Sequence, residues 1–135
     1  MTPEQRTAMR DSIAALRQAT IAAIVAKIGP DTAAPATQVF KNVQIIKTSA
    51  GQLLNTMNAY GRALSVNCTL CHVADQWDNE SKPEKATARV MMNMVNAVNT
   101  EQFTKLRPNQ AGRTPTIGCT TCHRGLQRPG QMLMP

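Results

Sequence analysis

Cys68-Thr69-Leu70-Cys71-His72 and Cys119-Thr120-Thr121-Cys122-His123 decide how this chain is read. Each is a Cys-X-X-Cys-His stretch, the pattern of c-type haem attachment. Two thiols three positions apart can each form a thioether to the vinyl edge of one porphyrin, and the imidazole that follows reaches under the ring to the iron. The chain has four Cys and two His, and the two motifs use all of them. A four-thiolate zinc site or a pair of disulfides could also be built from two Cys-X-X-Cys pairs. Neither explains why the only two histidines each stand directly after a pair. The motifs therefore predict two covalently bound haem c groups, attached at Cys68, Cys71, Cys119 and Cys122, with His72 and His123 as iron ligands.

No third histidine is left for the far side of either iron. Methionine is the remaining donor type of choice, and a thioether opposite imidazole gives a higher reduction potential than two imidazoles. Met57 and Met91 each lie on an expected helix shortly before a motif and are the candidates; Met92 and Met94 compete with Met91. A methionine on a helical stripe is also a common core filler.

Composition agrees with a core completed by something other than side chains. Only 3% of residues are aromatic (Phe40, Tyr60, Trp77 and Phe103), while there are eight Met. Porphyrins bring the broad apolar faces that such a chain lacks. At 135 residues the chain fits one compact domain with an added segment. The formal charge of +7 is reduced by the propionates of each bound haem. It is also unevenly spread: Asp75, Asp78, Glu80 and Glu84 cluster around Lys82, whereas Lys105, Arg107, Arg113, Arg124 and Arg128 meet no acid after Glu101. Such polarity suits docking on a charged redox partner or on another copy of the chain. No nucleic-acid partner is expected.

Outward from the motifs, Thr2-Pro3-Glu4 reads as a helix start and Gly29-Pro30 as its stop. Met9, Ile13, Leu16, Thr20, Ile24 and Ile28 form an apolar stripe between them. No apolar run reaches bilayer length, so the chain is expected not to span a membrane, and the charged start does not read as a signal peptide. Residues 31–37 read as a flexible linker and residues 39–46 as a short extended piece. A helix from about Ser49 carries Leu53, Leu54, Met57, Tyr60 and Leu64. Another opens at Pro83-Glu84, carries Val90, Met91, Met94, Val95 and Val98, and gives way to loop near Asn99. Residues 107–118, rich in Pro, Gly, Asn and Thr, deliver the second motif from a loop. The expected architecture is mostly α: residues 1–36 form an amphipathic helix and linker, and residues 37–135 a dihaem domain of two Met-helix, turn and attachment-motif units.

The stretches Asn42-Val43-Gln44-Ile45-Ile46, Leu53-Leu54-Asn55-Thr56-Met57, Ala88-Arg89-Val90-Met91-Met92-Asn93-Met94 and Cys119 to Gly125, together with the first motif, resemble the multihaem cytochrome subunit of bacterial photosynthetic reaction centres and its relatives in non-photosynthetic bacteria. The resemblance runs from about residue 40 to residue 128 and corresponds to a two-haem version. It implies that the helix methionine is the distal ligand of each haem: Met57 for the haem of Cys68, Cys71 and His72, and Met91 for the haem of Cys119, Cys122 and His123.

Together these readings predict an exported, periplasmic or extracellular electron carrier with two His/Met-ligated haems and no catalytic residues. Its partner is a redox protein or a membrane electron-transfer complex. Two rivals are a peroxidase-like enzyme with one open iron, for which no distal acid-base group is in place, and a repeating subunit of an electron-conducting assembly. Arg124 is a candidate for pairing with a propionate, and Trp77 and Tyr60 for packing against haem. The stripe of the N-terminal helix is expected to find its cover outside the chain, because the resemblance begins after the linker.

Overall fold

The computed structural model describes residues 1–129. Its regular elements are helices: α1 (Pro3–Ile28), α2 (Ala36–Val39), α3 (Ala50–Leu64), α4 (Pro83–Ala97) and α5 (Cys119–His123). Short 3₁₀ turns lie at Gly29–Ala33, Cys68–Leu70 and Phe103–Lys105, and a π turn at Val98–Gln102. No strand forms among the described residues, so residues 39–46 are not extended as expected; α2 is followed there by bends.

Helix α1 starts on a reciprocal cap. Gln5 N–H donates to Thr2 Oγ1 at 3.2 Å and Thr2 N–H donates to Gln5 Oε1 at 2.7 Å, which satisfies two of the end's orphan donors. The helix lies against α3. Ile13, Arg17, Thr20, Ile24 and Ile28 turn toward the protein at helical spacing, while Met9 and Leu16 of the expected stripe stay in solvent. The inner face of the stripe thus meets α3 and is half-buried there. Its buried member is a cation: Arg17 is 5% exposed, donates through Nε to Asn58 Oδ1 at 3.2 Å and through Nη1 to Val66 O at 2.9 Å. Gly61 makes room for it, since a Cβ there would stand 2.4 Å from Arg17 Cδ.

By length and composition alone, the helical stretch Pro3–Ala33 that contains α1 is also apolar enough to cross a membrane. That corrects the expectation that no stretch reaches such a length. The uncharged run is short, but Arg17 and Lys27 are too few to lower the mean hydropathy far.

Residues 31–37 are not a flexible linker. Ala36 N–H donates to Thr48 O and Ala50 N–H to Ala34 O, each at 2.8 Å, and Pro35 pairs with Ser49 in an isolated antiparallel bridge. Alanines allow this close approach: Ala36 and Ala50 are fully buried. Ser49 Oγ then caps α3 by accepting Gln52 N–H at 3.2 Å. The rest of the apolar core lies along α3, in Leu53, Leu54 and Ala63. Burying each leucine contributes about 1.5–3 kcal/mol.

Helix α4 is held differently. Part of its apolar stripe faces solvent, with Val90 66%, Met91 39% and Met94 48% exposed and Val95 and Val98 half-buried, while its polar side chains Lys85 and Arg89 tie it to the loop before it. The α-helix ends at Ala97, close to the expected Asn99, but no loop follows directly. The chain continues through the π turn and a 3₁₀ turn to Lys105 before opening into the loop of residues 107–118.

Candidate functional site

The first motif begins directly after α3. Ser65 takes the left-handed conformation at the helix end, and Val66 N–H returns to Gly61 O at 2.9 Å. Asn67 Oδ1 accepts Cys68 N–H at 2.8 Å and so starts the turn. Cys71 N–H and His72 N–H both donate to Cys68 O, at 3.3 and 3.0 Å. This tight turn puts the two thiols and the imidazole on one short coil.

The second motif is one turn of helix. Asn99, in the π turn after α4, clamps the approaching loop: its Nδ2 donates to Ile117 O at 2.9 Å and its Oδ1 accepts Ile117 N–H at 2.8 Å. Gly118 N–H donates to Thr121 Oγ1 at 3.0 Å. The turn ends at Arg124 and Gly125, both at positive φ (51° and 85°), and Gly125 N–H reaches Ala63 O of α3 at 2.8 Å. Glycine is suited there both by its φ and because a Cβ would press to 3.2 Å from Ser65 Oγ. The C-terminal end of α3 therefore anchors both motifs, one through the chain and one through this bond.

The two histidines share one feature. His72 Nδ1 lies 3.1 Å from Trp77 O, and His123 Nδ1 lies 2.9 Å from Leu126 O. A carbonyl oxygen only accepts, so each Nδ1 carries the proton and each neutral ring keeps its lone pair on Nε2. That is the tautomer an iron ligand needs, and the backbone bond fixes the ring's orientation. Burial is the main cause that lowers the pKa of His72, with the Trp77 carbonyl opposing it and Lys85 and Arg89 adding to it. Burial and the two cations favour the neutral ring. Trp77 packs its ring edge to His72, at 5.9 Å between centroids and 69° between planes.

Burial also raises the thiol pKa values of Cys68, Cys71 and Cys119. No disulfide joins the four cysteines, and among the described residues no three of His, Cys, Asp and Glu converge in a group able to hold a metal ion. The two pairs are thus separate donor sets, which a shared four-thiolate centre does not fit. Paired thiols, an imidazole with free Nε2 and the exposed part of the apolar face of α4 fit covalently bound haem c.

Residues 73–82, after the first motif, are braced from two sides. The Glu80 carboxylate takes both guanidinium nitrogens of Arg89, at 2.9 and 2.6 Å, and the side-chain amide of Asn42, which also donates to Asp78 O at 3.1 Å. Arg89, then Asn42, pulls the Glu80 pKa down to about 2. Lys82 donates to Thr69 O inside the motif. Lys85, only 7% exposed, donates to Trp77 O at 2.9 Å and Asn79 O at 3.0 Å.

Met57 lies half-buried on α3, which packs against α5 as well as leading into the first motif; Met91 lies exposed on α4, Met92 half-buried and Met94 exposed. Tyr60 is half-buried, its hydroxyl pKa raised by burial and then by Cys119. Arg124 stands exposed beside His123. Sequence reasoning missed Arg17, Lys85 and Asn99. A cation one helical turn before Arg89, just after an acidic stretch, was the only trace of Lys85 in the sequence. Arg17 had the small Gly61 as its counterpart, 44 positions away and without a local pattern.

Residues 4–134 match the family model described as photosynthetic reaction centre cytochrome C subunit. The match takes in α1, whereas the sequence resemblance began only near residue 40. Among curated relatives, the photosynthetic reaction center cytochrome c subunit of Rubrivivax gelatinosus is 35% identical over 83 residues, covering 54% of this chain and 22% of that protein. Cytochrome c-554 of Chloroflexus aurantiacus is 37% identical over 84 residues, covering 61% and 20%. The Roseobacter denitrificans reaction center cytochrome c subunit is 31% identical over 87 residues, covering 57% and 24%. The chain thus spans less than a quarter of the length of these relatives. With a family match over nearly its whole length, the chain belongs to the photosynthetic reaction centre cytochrome c subunit family and is a c-type cytochrome.

Proposed function

We propose that the chain is a dihaem electron carrier rather than an enzyme, with Cys68 and Cys71 holding one haem and Cys119 and Cys122 the other. His72 and His123 ligate the irons through Nε2. The observation that carries this reading is the repeated bond from Nδ1–H to a backbone carbonyl, made at two sites whose surrounding turns differ. The porphyrin irons supply the one-electron chemistry. The protein's residues fix the imidazoles, exclude water and set the potentials through ligand type and burial.

Met57 and Met91 complete the coordination, as the family resemblance implies. The exposed stripe of Val90, Met91 and Met94 is the surface that a porphyrin face would cover. Residues 37–135 form the haem-bearing unit, and α1 covers one side of α3. Both motifs are anchored to the end of α3, so haems held there would share one end of that helix and could exchange electrons.

Attachment of c-type haem takes place outside the cytoplasm, so the working site is periplasmic or extracellular, with α1 also suited to a membrane surface. The partner is a redox protein or a membrane electron-transfer complex; two of the relatives are named as subunits of a photosynthetic reaction center. Lys105, Arg107, Arg113 and Arg124 are exposed in the described part of the cationic C-terminal region and offer a docking face to an acidic partner.

Ligation is tested by carbon monoxide binding to the ferrous protein together with the near-infrared band of ferric methionine-ligated haem. The band should be present and the wild type should bind almost no carbon monoxide. A full equivalent bound by wild type would reveal an open iron and favour the peroxidase-like alternative.

A further inference from the structure

The carbonyl that orients His72 serves two donors. Trp77 O accepts His72 Nδ1–H at 3.1 Å and the Lys85 ammonium at 2.9 Å. Lys85 is buried, spends a second bond on Asn79 O, and has one acidic neighbour, Glu80, at 3.6 Å. That carboxylate is already engaged by the fork of Arg89 and by Asn42. At the second motif the corresponding acceptor is Leu126 O, and among the described residues no lysine or arginine donates to it. Two sites with the same motif pattern therefore differ in a buried ammonium bonded to the carbonyl that holds the ligand ring.

A carbonyl oxygen has two lone pairs, so both bonds can form together, but each changes the other. A hydrogen bond from Nδ1–H pushes electron density into the imidazole and makes Nε2 a stronger donor to the metal. A cation on the same oxygen draws that density away. Its charge also acts directly: oxidation adds a positive charge at the iron, and a buried cation nearby opposes it. Both effects favour the reduced state.

We infer that Lys85 is a positioning residue that raises the reduction potential of the haem ligated by His72, and so orders two sites that their motifs leave matched. This rests on the proposed ligation by His72. Glu80, with the opposite charge on the same cluster, must act in the opposite direction.

The test is a spectroelectrochemical titration of the full holoprotein beside its Lys85→Met, Lys85→Arg and Glu80→Gln variants. The wave of the first haem is assigned by the hyperfine-shifted ring protons of His72. Lys85→Met should lower that wave by a factor of about ten in the one-electron equilibrium constant, or about 59 mV, and leave the other wave in place. Lys85→Arg, which keeps the charge, should restore most of it, and Glu80→Gln should raise it. An unmoved first wave in Lys85→Met, or equal movement of both waves, overturns the inference. Should Lys85→Met fail to assemble, Glu80→Gln decides alone, and a fall or no change there overturns it. A protein without two haems, or without His72 ring protons shifted by iron, instead overturns the proposed ligation itself.

Discussion

The two attachment motifs share four of their five residues and reach the same imidazole geometry by different means. At the first, a 3₁₀ turn is followed by a braced loop, and the acceptor for His72 lies five residues on, at Trp77. At the second, one α-helical turn ends in two left-handed residues, and the acceptor for His123 lies three residues on, at Leu126. The first is held by charged side chains from α4, the second by an amide clamp and a bond to α3. The motif thus specifies the chemistry, while the segments around it specify how firmly the ring is held and which charges it feels.

The sharpest way to separate the two sites is to open one at a time. Met57→Ala should expose the first haem, and Met91→Ala the second, each adding one equivalent of carbon monoxide binding. If Met92→Ala or Met94→Ala does so in place of Met91→Ala, the ligand on α4 has been misassigned.

A second contrast lies in the anchors. Arg17→Ala removes two charge-assisted hydrogen bonds that Arg17 donates, to Asn58 Oδ1 and to Val66 O just before the first motif, and should destabilise the protein by about 2–4 kcal/mol in denaturant titration. Gly61→Ala should act in the same direction, because its methyl group would collide with Arg17. Preserved stability in both would mean that α1 leaves α3 in solution and seeks its cover elsewhere.

Asn99→Ala should have a smaller effect, about 1–2 kcal/mol, and a local one. It frees both backbone groups of Ile117 and should lower haem attachment at Cys119 and Cys122 while sparing the first motif. Mass analysis of the two haem peptides would resolve this.

The smallest expected effect is the acid response of the brace around the first site. Glu80 titrates ordinarily at 4.5 and is pulled down to about 2, chiefly by Arg89. Since the folded value is the lower one, its contribution is complete above pH 4.5 and is lost as pH falls toward 2. Wild type should lose stability over that window by slightly more than Glu80→Gln does. Identical acid profiles would show that the brace contributes nothing measurable.

The parts legible in the sequence are those with local causes. Thr2, Pro3 and Gly29 bound α1, Ser49 starts α3, Pro83 opens α4, and the Cys and His of both motifs stand in contiguous pentapeptides. What escaped depends on distant partners. Residues 31–37 look like a linker until Ala34 and Ala36 pair with residues 48–50. The stripe on α1 gave Ile13, Ile24 and Ile28 correctly but could not show that an arginine forms its centre, because Asn58, Gly61 and Val66 lie far along the chain. The charge cluster around Glu80 was visible, yet its use to seat the carbonyl opposite His72 depends on how the loop folds back over α4.

The most direct measurement of the dihaem reading is the mass of the denatured holoprotein beside that of the Cys68→Ala/Cys71→Ala variant. The wild type should retain two haems through denaturation and the variant one. A wild-type chain that carries no covalent haem, or holds only one with both motifs intact, would contradict it.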